Sequence, residues 1–72
     1  MSIQDISISN NQKKKLLRAI TDENILFQDD TGELVLNVAA YNTYKEAENQ
    51  APIEAIVGED ALDARAEYVV FN

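Results

Sequence analysis

The chain contains no cysteine, no histidine and no tryptophan. Without thiols it holds no disulfide and no thiolate nucleophile. Without imidazole it builds no Ser-His-Asp triad, and a tetrahedral zinc site cannot be assembled from its own residues. Long apolar runs are also missing, so no membrane span is expected. The first residues show neither a basic segment nor an apolar stretch of the secretory kind. A soluble, cytoplasmic protein is the expectation.

Cations are few. Six Lys and Arg stand against 13 Asp and Glu, for a net charge of −7, and the imbalance is uneven. Residues 1–28 carry Lys13, Lys14, Lys15 and Arg18 against Asp5, Asp22 and Glu23, a net of +1. Residues 29–72 carry Lys45 and Arg65 against ten carboxylates, a net of −8. An acidic surface repels nucleic acid and favours basic partners, although its first consequence is solubility. Four basic residues on one short segment do not make a nucleic-acid-binding stripe, so direct binding of nucleic acid is not expected.

What is present is a small apolar core. Ile, Leu, Val and Phe make up 20 of 72 residues, above the fraction expected of a disordered chain. A chain of this length buries only about 60% of its unfolded surface, so self-association would help it. Residues 1–72 read as one domain.

The organising stretch is Ile25 to Tyr41. Two apolar segments, Ile25–Gln28 and Leu34–Ala39, are joined by Asp29-Asp30-Thr31-Gly32-Glu33, which predicts a hairpin with Gly32 at a φ > 0 position. The loop does not match a calcium-binding EF-hand. Such a loop needs oxygen ligands at alternate positions over twelve residues, and Leu34, Val35 and Leu36 follow Glu33. It is a turn, and no metal or other cofactor is expected.

Around the hairpin, residues 3–8 predict a short strand from the alternation of Ile6 and Ile8, with Ile3 off that phase. Asn10-Asn11 offers an N-cap for a helix over 11–20, whose apolar stripe is Leu16, Leu17 and Ile20. Thr43 and Glu46 have capping-box spacing, which predicts a helix from Thr43 to about Gln50. Pro52 fits either the first turn of a second helix or a kink in the first. Ile53, Ile56 and Val57 form a short stripe that Gly58 could cap. Residues 59–66 read as helical again, and 67–71 as a strand dense in aromatic and β-branched residues.

The expected fold is therefore α+β: an antiparallel sheet of three or four strands, with two helical segments on one face. The element order is compatible with the β-α-β-β-α-β order of a ferredoxin-like domain. If residues 3–8 stay irregular, the sheet has three strands.

Carboxylates are the only abundant reactive groups, in the pairs Asp29/Asp30 and Glu46/Glu48 and the cluster Glu59/Asp60/Asp63. Acid–base catalysis needs one of them desolvated in a cleft, and nothing in the sequence points to a cleft. The expectation is a protein without enzymatic activity. If residues 59–67 are helical, Glu59, Asp63 and Glu67 share one face, with Asp60 beside them and Glu54 further back. Carboxylates four apart rise about 6 Å along a helix, and alternate phosphates of one DNA strand lie about 6.8 Å apart. Such a row could stand in for a phosphate backbone, as a small phage-type inhibitor does when it occupies a basic protein groove. An ordinary solvated face is the plain alternative.

Tyr44 and Tyr68 are the candidate anchoring contacts. The expected function is thus an acidic protein-interaction module that meets a basic protein surface through Glu54, Glu59, Asp60, Asp63, Glu67, Tyr44 and Tyr68. The alternative is a small assembly subunit that forms a homo-oligomer by pairing sheet edges, because residues 67–71 are apolar on both faces.

Overall fold

The central hairpin forms from strands Leu26–Gln28 (β2) and Leu34–Asn37 (β3), antiparallel, with Phe27 opposite Val35 and Leu26 opposite Leu36. Its turn is held by Asp29. The carboxylate Oδ1 accepts from the Thr31 amide at 2.9 Å, the Thr31 hydroxyl at 2.6 Å and the Glu33 amide at 3.0 Å. Gly32, at φ 87°, supplies the left-handed residue that closes the reversal. The Thr31 hydroxyl above all, with the turn amides, holds the Asp29 carboxyl below its ordinary range.

The computed structural model describes residues 2–72. Before the hairpin come strand Ile3–Ile6 (β1) and helix Asn10–Ala19 (α1). After it come helices Val38–Glu48 (α2) and Pro52–Val57 (α3) and strand Tyr68–Phe71 (β4). The four strands make one sheet in the order β1-β4-β3-β2. β4 is antiparallel to β3 and parallel to β1, so the sheet is mixed where an antiparallel one was expected.

Registry and pleat sort the side chains onto two faces. Leu26, Leu34, Leu36, Val69 and Phe71 fall on one face and are buried. Leu16 and Ile20 from α1, Val38 and Tyr41 from α2, and Ile53 from α3 complete the same cluster. The result is a two-layer α+β domain with helices on one side. The expected layering holds, with three helices in place of two.

The order of elements is that of a split βαβ with its second helix divided. The pairing follows that scheme only in the first half. β1 and β2 are parallel and joined through α1, with β4 and β3 between them. β3 and β4 are direct antiparallel neighbours, so α2 and α3 form a return connection and not a crossover. The ferredoxin-like pairing is not confirmed.

Three boundaries differ from expectation, each for a local reason. The cap of α1 is Ser9, not Asn10 or Asn11. Its hydroxyl accepts from the Gln12 amide at 3.2 Å while the Gln12 side chain accepts from the Ser9 amide at 2.9 Å, a full capping box. Helix α2 starts at Val38, because Asn37 ends β3 and also caps the helix, accepting from the Ala40 amide at 3.1 Å. Thr43 therefore lies inside α2, its hydroxyl bonded back to the Ala39 carbonyl. α2 closes at Asn49 in the left-handed conformation and α3 opens with Pro52, so residues 43–57 belong to two helices.

The third difference concerns residues 59–66, which form turns and bends and no helix. Gln4 of β1 faces inward beside Val69 and takes the backbone of this segment. Its amide nitrogen donates to the Ala61 carbonyl at 2.6 Å, and its oxygen accepts from the Asp63 amide at 2.8 Å. Asp63 then accepts from the Arg65 amide at 2.9 Å. Groups that a helix would pair internally are spent elsewhere.

Candidate interaction surface

The acidic residues expected to form one row do not. Glu59 and Asp60 are exposed in the turn after Gly58, and Asp63 forms a local turn and an ion pair at 3.6 Å with the exposed Arg65. Glu67 is exposed at the entry to β4, its amide bonded to the Ser2 carbonyl at 2.8 Å. With no helix here, the i, i+4, i+8 spacing of Glu59, Asp63 and Glu67 is lost. The helical ground for phosphate-like spacing goes with it.

Glu54 leaves the group for another reason. It sits on α3 facing α2, where its carboxylate accepts from the Tyr41 hydroxyl and pairs with Lys45 Nζ at 3.3 Å. The Tyr41 hydroxyl in turn accepts from the Ile53 amide at 3.1 Å, satisfying one of the free donors of the first turn of α3. The Tyr44 ring stacks on Tyr41, centroids 6.3 Å apart, and Lys45 Nζ lies 5.5 Å from the Tyr41 ring centre. Burial works to raise the Glu54 carboxyl. The bond from Tyr41, its own backbone amide and Lys45 outweigh it, and the net shift is downward. Burial first, and then the bond to Glu54, pushes the Tyr41 hydroxyl above its ordinary range.

Beside this network lies an open depression of about 590 Å³, lined by Lys45, Asn49, Gln50, Ala51, Glu54, Ala55 and Glu59. Its charged groups are already engaged, apart from Glu59, and its Tyr and Glu shifts follow from fixing α2 to α3. Chemically it is a clamp.

The feature expected from the sequence only at its last strand is the second face of the sheet. Phe27, Val35, Val70 and Asp5 lie in one row across the strands, and Asn37, Tyr68 and Ile3 in the next. None of the three helices sends a buried side chain to this side among the described residues. Ile3 is 60% and Phe27 38% exposed, and Val35, Val70 and Tyr68 are half-buried by one another. The only charge in these rows is Asp5. Of the seven side chains proposed from sequence, only Tyr68 lies in this face; Glu67, two positions before the inward Val69, belongs by the pleat to the other side. The signal was legible in part. Leu34, Val35 and Leu36 are apolar at consecutive positions, as are Leu26 and Phe27, so both faces of the hairpin had to be apolar.

Among the described residues no helix is long and apolar enough to cross a membrane, and no group of three or more acidic side chains is placed to hold a metal ion. No family model matches this chain, and neither a curated protein nor a solved structure matches it.

Proposed function

We propose that this protein is a non-enzymatic interaction module that docks a protein partner on the uncovered face of its sheet. The observation that supports this reading is the patch formed by Ile3, Phe27, Val35, Tyr68 and Val70, apolar across all four strands and left open by the helices. A patch of this kind is no larger than monomers commonly expose, so its placement across all four strands, and not its size, supports the reading. Tyr68 offers a rigid aromatic body with a polar tip, the kind of side chain that anchors interfaces.

The size of the patch says more about the partner. Four strands at about 4.8 Å and four residues at about 3.3 Å each give roughly 250 Å² in plan. A stable complex buries about 800 Å² on each side. The surrounding polar rim must therefore also be covered. Asp5 lies in the patch opposite Val70, so the matching surface is an apolar centre with a Lys or Arg against that position. The acidic character expected from sequence is reduced in this reading to that one carboxylate, with no row of mimicked phosphates.

A second copy of the chain is the rival occupant. Its free sheet edges are β1 and β2, four and three residues long. β1 carries Asp5, a charge that discourages pairing with another strand.

The test is photo-crosslinking from position 70 or 35, with position 15 on the helical side as control, followed by affinity measurements on the captured protein. Val70→Lys should weaken binding about tenfold or more with an unchanged circular dichroism spectrum, and Asp5→Lys should reduce its salt dependence. Equal capture from position 15, or undiminished affinity of Val70→Lys, would sink the reading. A captured protein that is this chain itself would install the rival occupant.

A further inference from the structure

The opposite charge of the molecule gathers at a different place. Between α1 and β2 runs an open groove of about 490 Å³, its apolar lining Leu17, Ile20, Leu26 and Phe27 and its polar lining Thr21, Glu23 and Gln28. Leu17 is 40% and Phe27 38% exposed; with Ile3 they are the large apolar side chains left open to solvent among the described residues. Helix geometry puts Lys13 and Lys14 one turn before Leu17, on the stripe that continues through Ile20 and Thr21 into the groove. Four of the six cations of the chain lie on α1, and among the described residues none of the four forms an ion pair. In a chain of net charge −7, these cations are the local exception.

The edge of β2 adds a further recognition element. Its bonds to β3 come from odd-numbered residues: the Ile25 carbonyl accepts from the Asn37 amide at 2.8 Å, and the Asp29 amide donates to the Glu33 carbonyl at 2.9 Å. Leu26 and Gln28 therefore turn their backbone groups away from the sheet. The Leu26 amide is bonded back to the Asp22 carbonyl at 3.1 Å. The Leu26 carbonyl and both backbone groups of Gln28 remain facing the open edge.

We infer that this groove binds an extended acidic–apolar segment of a partner protein, added as a further strand beside β2. Main-chain bonds to Leu26 and Gln28 would hold the segment in line, one large apolar side chain would fill the space between Leu17 and Leu26, and its carboxylates would meet Lys13 and Lys14. Recognition by an added strand takes affinity from the backbone and specificity from alternate side chains. Acids of the segment belong beside the α1 lysines and away from Glu23, the one carboxylate in the lining. This site meets the open sheet face only at Phe27, and Asp5 on that face calls for a partner of opposite charge.

The test uses short random peptides displayed on phage and selected against the whole protein. Selected peptides should combine a large apolar residue with Asp or Glu, and should shift the amide signal of Gln28 and the methyl signals of Leu17, Ile20 and Leu26 in NMR titrations. Leu17→Glu should weaken them about tenfold or more, and the double variant Lys13→Glu with Lys14→Glu should do the same while removing the salt dependence. Val70→Lys, on the other face, should leave the affinity unchanged. The inference falls if no peptide is selected, if the selected ones are not acidic, if their shifts map elsewhere, or if either α1 variant binds undiminished.

Discussion

At the residue scale the side chain that does most is Tyr41. It is fully buried, yet its hydroxyl serves two partners, donating to Glu54 and accepting from the Ile53 amide. That amide belongs to the first turn of α3, which has no side-chain cap of its own. Tyr41→Phe keeps the ring and strands a buried donor, so it should cost about 1–3 kcal/mol in urea unfolding. Lys45 contributes less, since its side chain is 35% exposed and its pair with Glu54 is screened. The Glu54 carboxyl has a lowered value in the folded state. A depressed acid stabilises above its unfolded value and loses that contribution as pH falls through the folded one. The wild type should thus lose stability on acidification below about pH 4.3, and Tyr41→Phe should lose less over the same window. An identical acid dependence in both proteins would mean that Tyr41 does not hold Glu54. None of this was readable from sequence, because Tyr41 and Glu54 meet only once α2 and α3 have packed.

At the element scale the decisive residues are caps: Pro52 and Gly58 bound α3 as the sequence predicts, whereas the N-caps of α1 and α2 fall at Ser9 and Asn37 instead of the predicted positions. The stretch Leu34 to Ala40 is apolar throughout apart from Asn37. Short apolar runs do not distinguish strand from helix, so a change of structure inside the run was hidden. Asn37 marks it, since Asn at a strand end can cap the following helix. Thr43 and Glu46 have the spacing of a capping box but sit in mid-helix, where Thr43 bonds back to Ala39. The two residues give opposite expectations. Asn37→Ala should cost about 0.5–2 kcal/mol, whereas Thr43→Ala should be neutral or stabilising by up to about 0.7 kcal/mol from helix propensity. Thermal unfolding of the pair decides it: a Thr43→Ala protein losing as much as Asn37→Ala would move the helix start back to residue 43. Residues 59–66 were misread for a different reason. Their composition suits a helix, but a long-range partner, Gln4, takes their backbone groups. A contact across 57 and 59 positions leaves no periodic trace.

At the scale of the whole molecule, residues 67–71 are apolar on both faces, and a strand of that kind has two explanations, a central place in the sheet or a covering partner. The structure gives the first: β4 pairs with β1 on one side and β3 on the other. Its alternate residues therefore have different duties. Val69 and Phe71 are fully buried in the core, and Val70 and Tyr68 belong to the open face. Strand order could not be read from sequence, because it depends on which edge of the hairpin receives the last strand. It does fix how substitutions should behave. A carboxylate at Val69 would lie among Leu36, Leu26 and the helices with no cation to meet it, at a cost of several kcal/mol. A chain of this length has roughly 4–11 kcal/mol of stability in all. Val69→Asp should therefore be unfolded or close to it, at every protein concentration, by circular dichroism. Val70→Asp, one residue along, should keep the native spectrum. If Val69→Asp instead stayed folded and changed only the solution mass, β4 would be an edge strand pairing with another copy, and the strand order described above would be wrong.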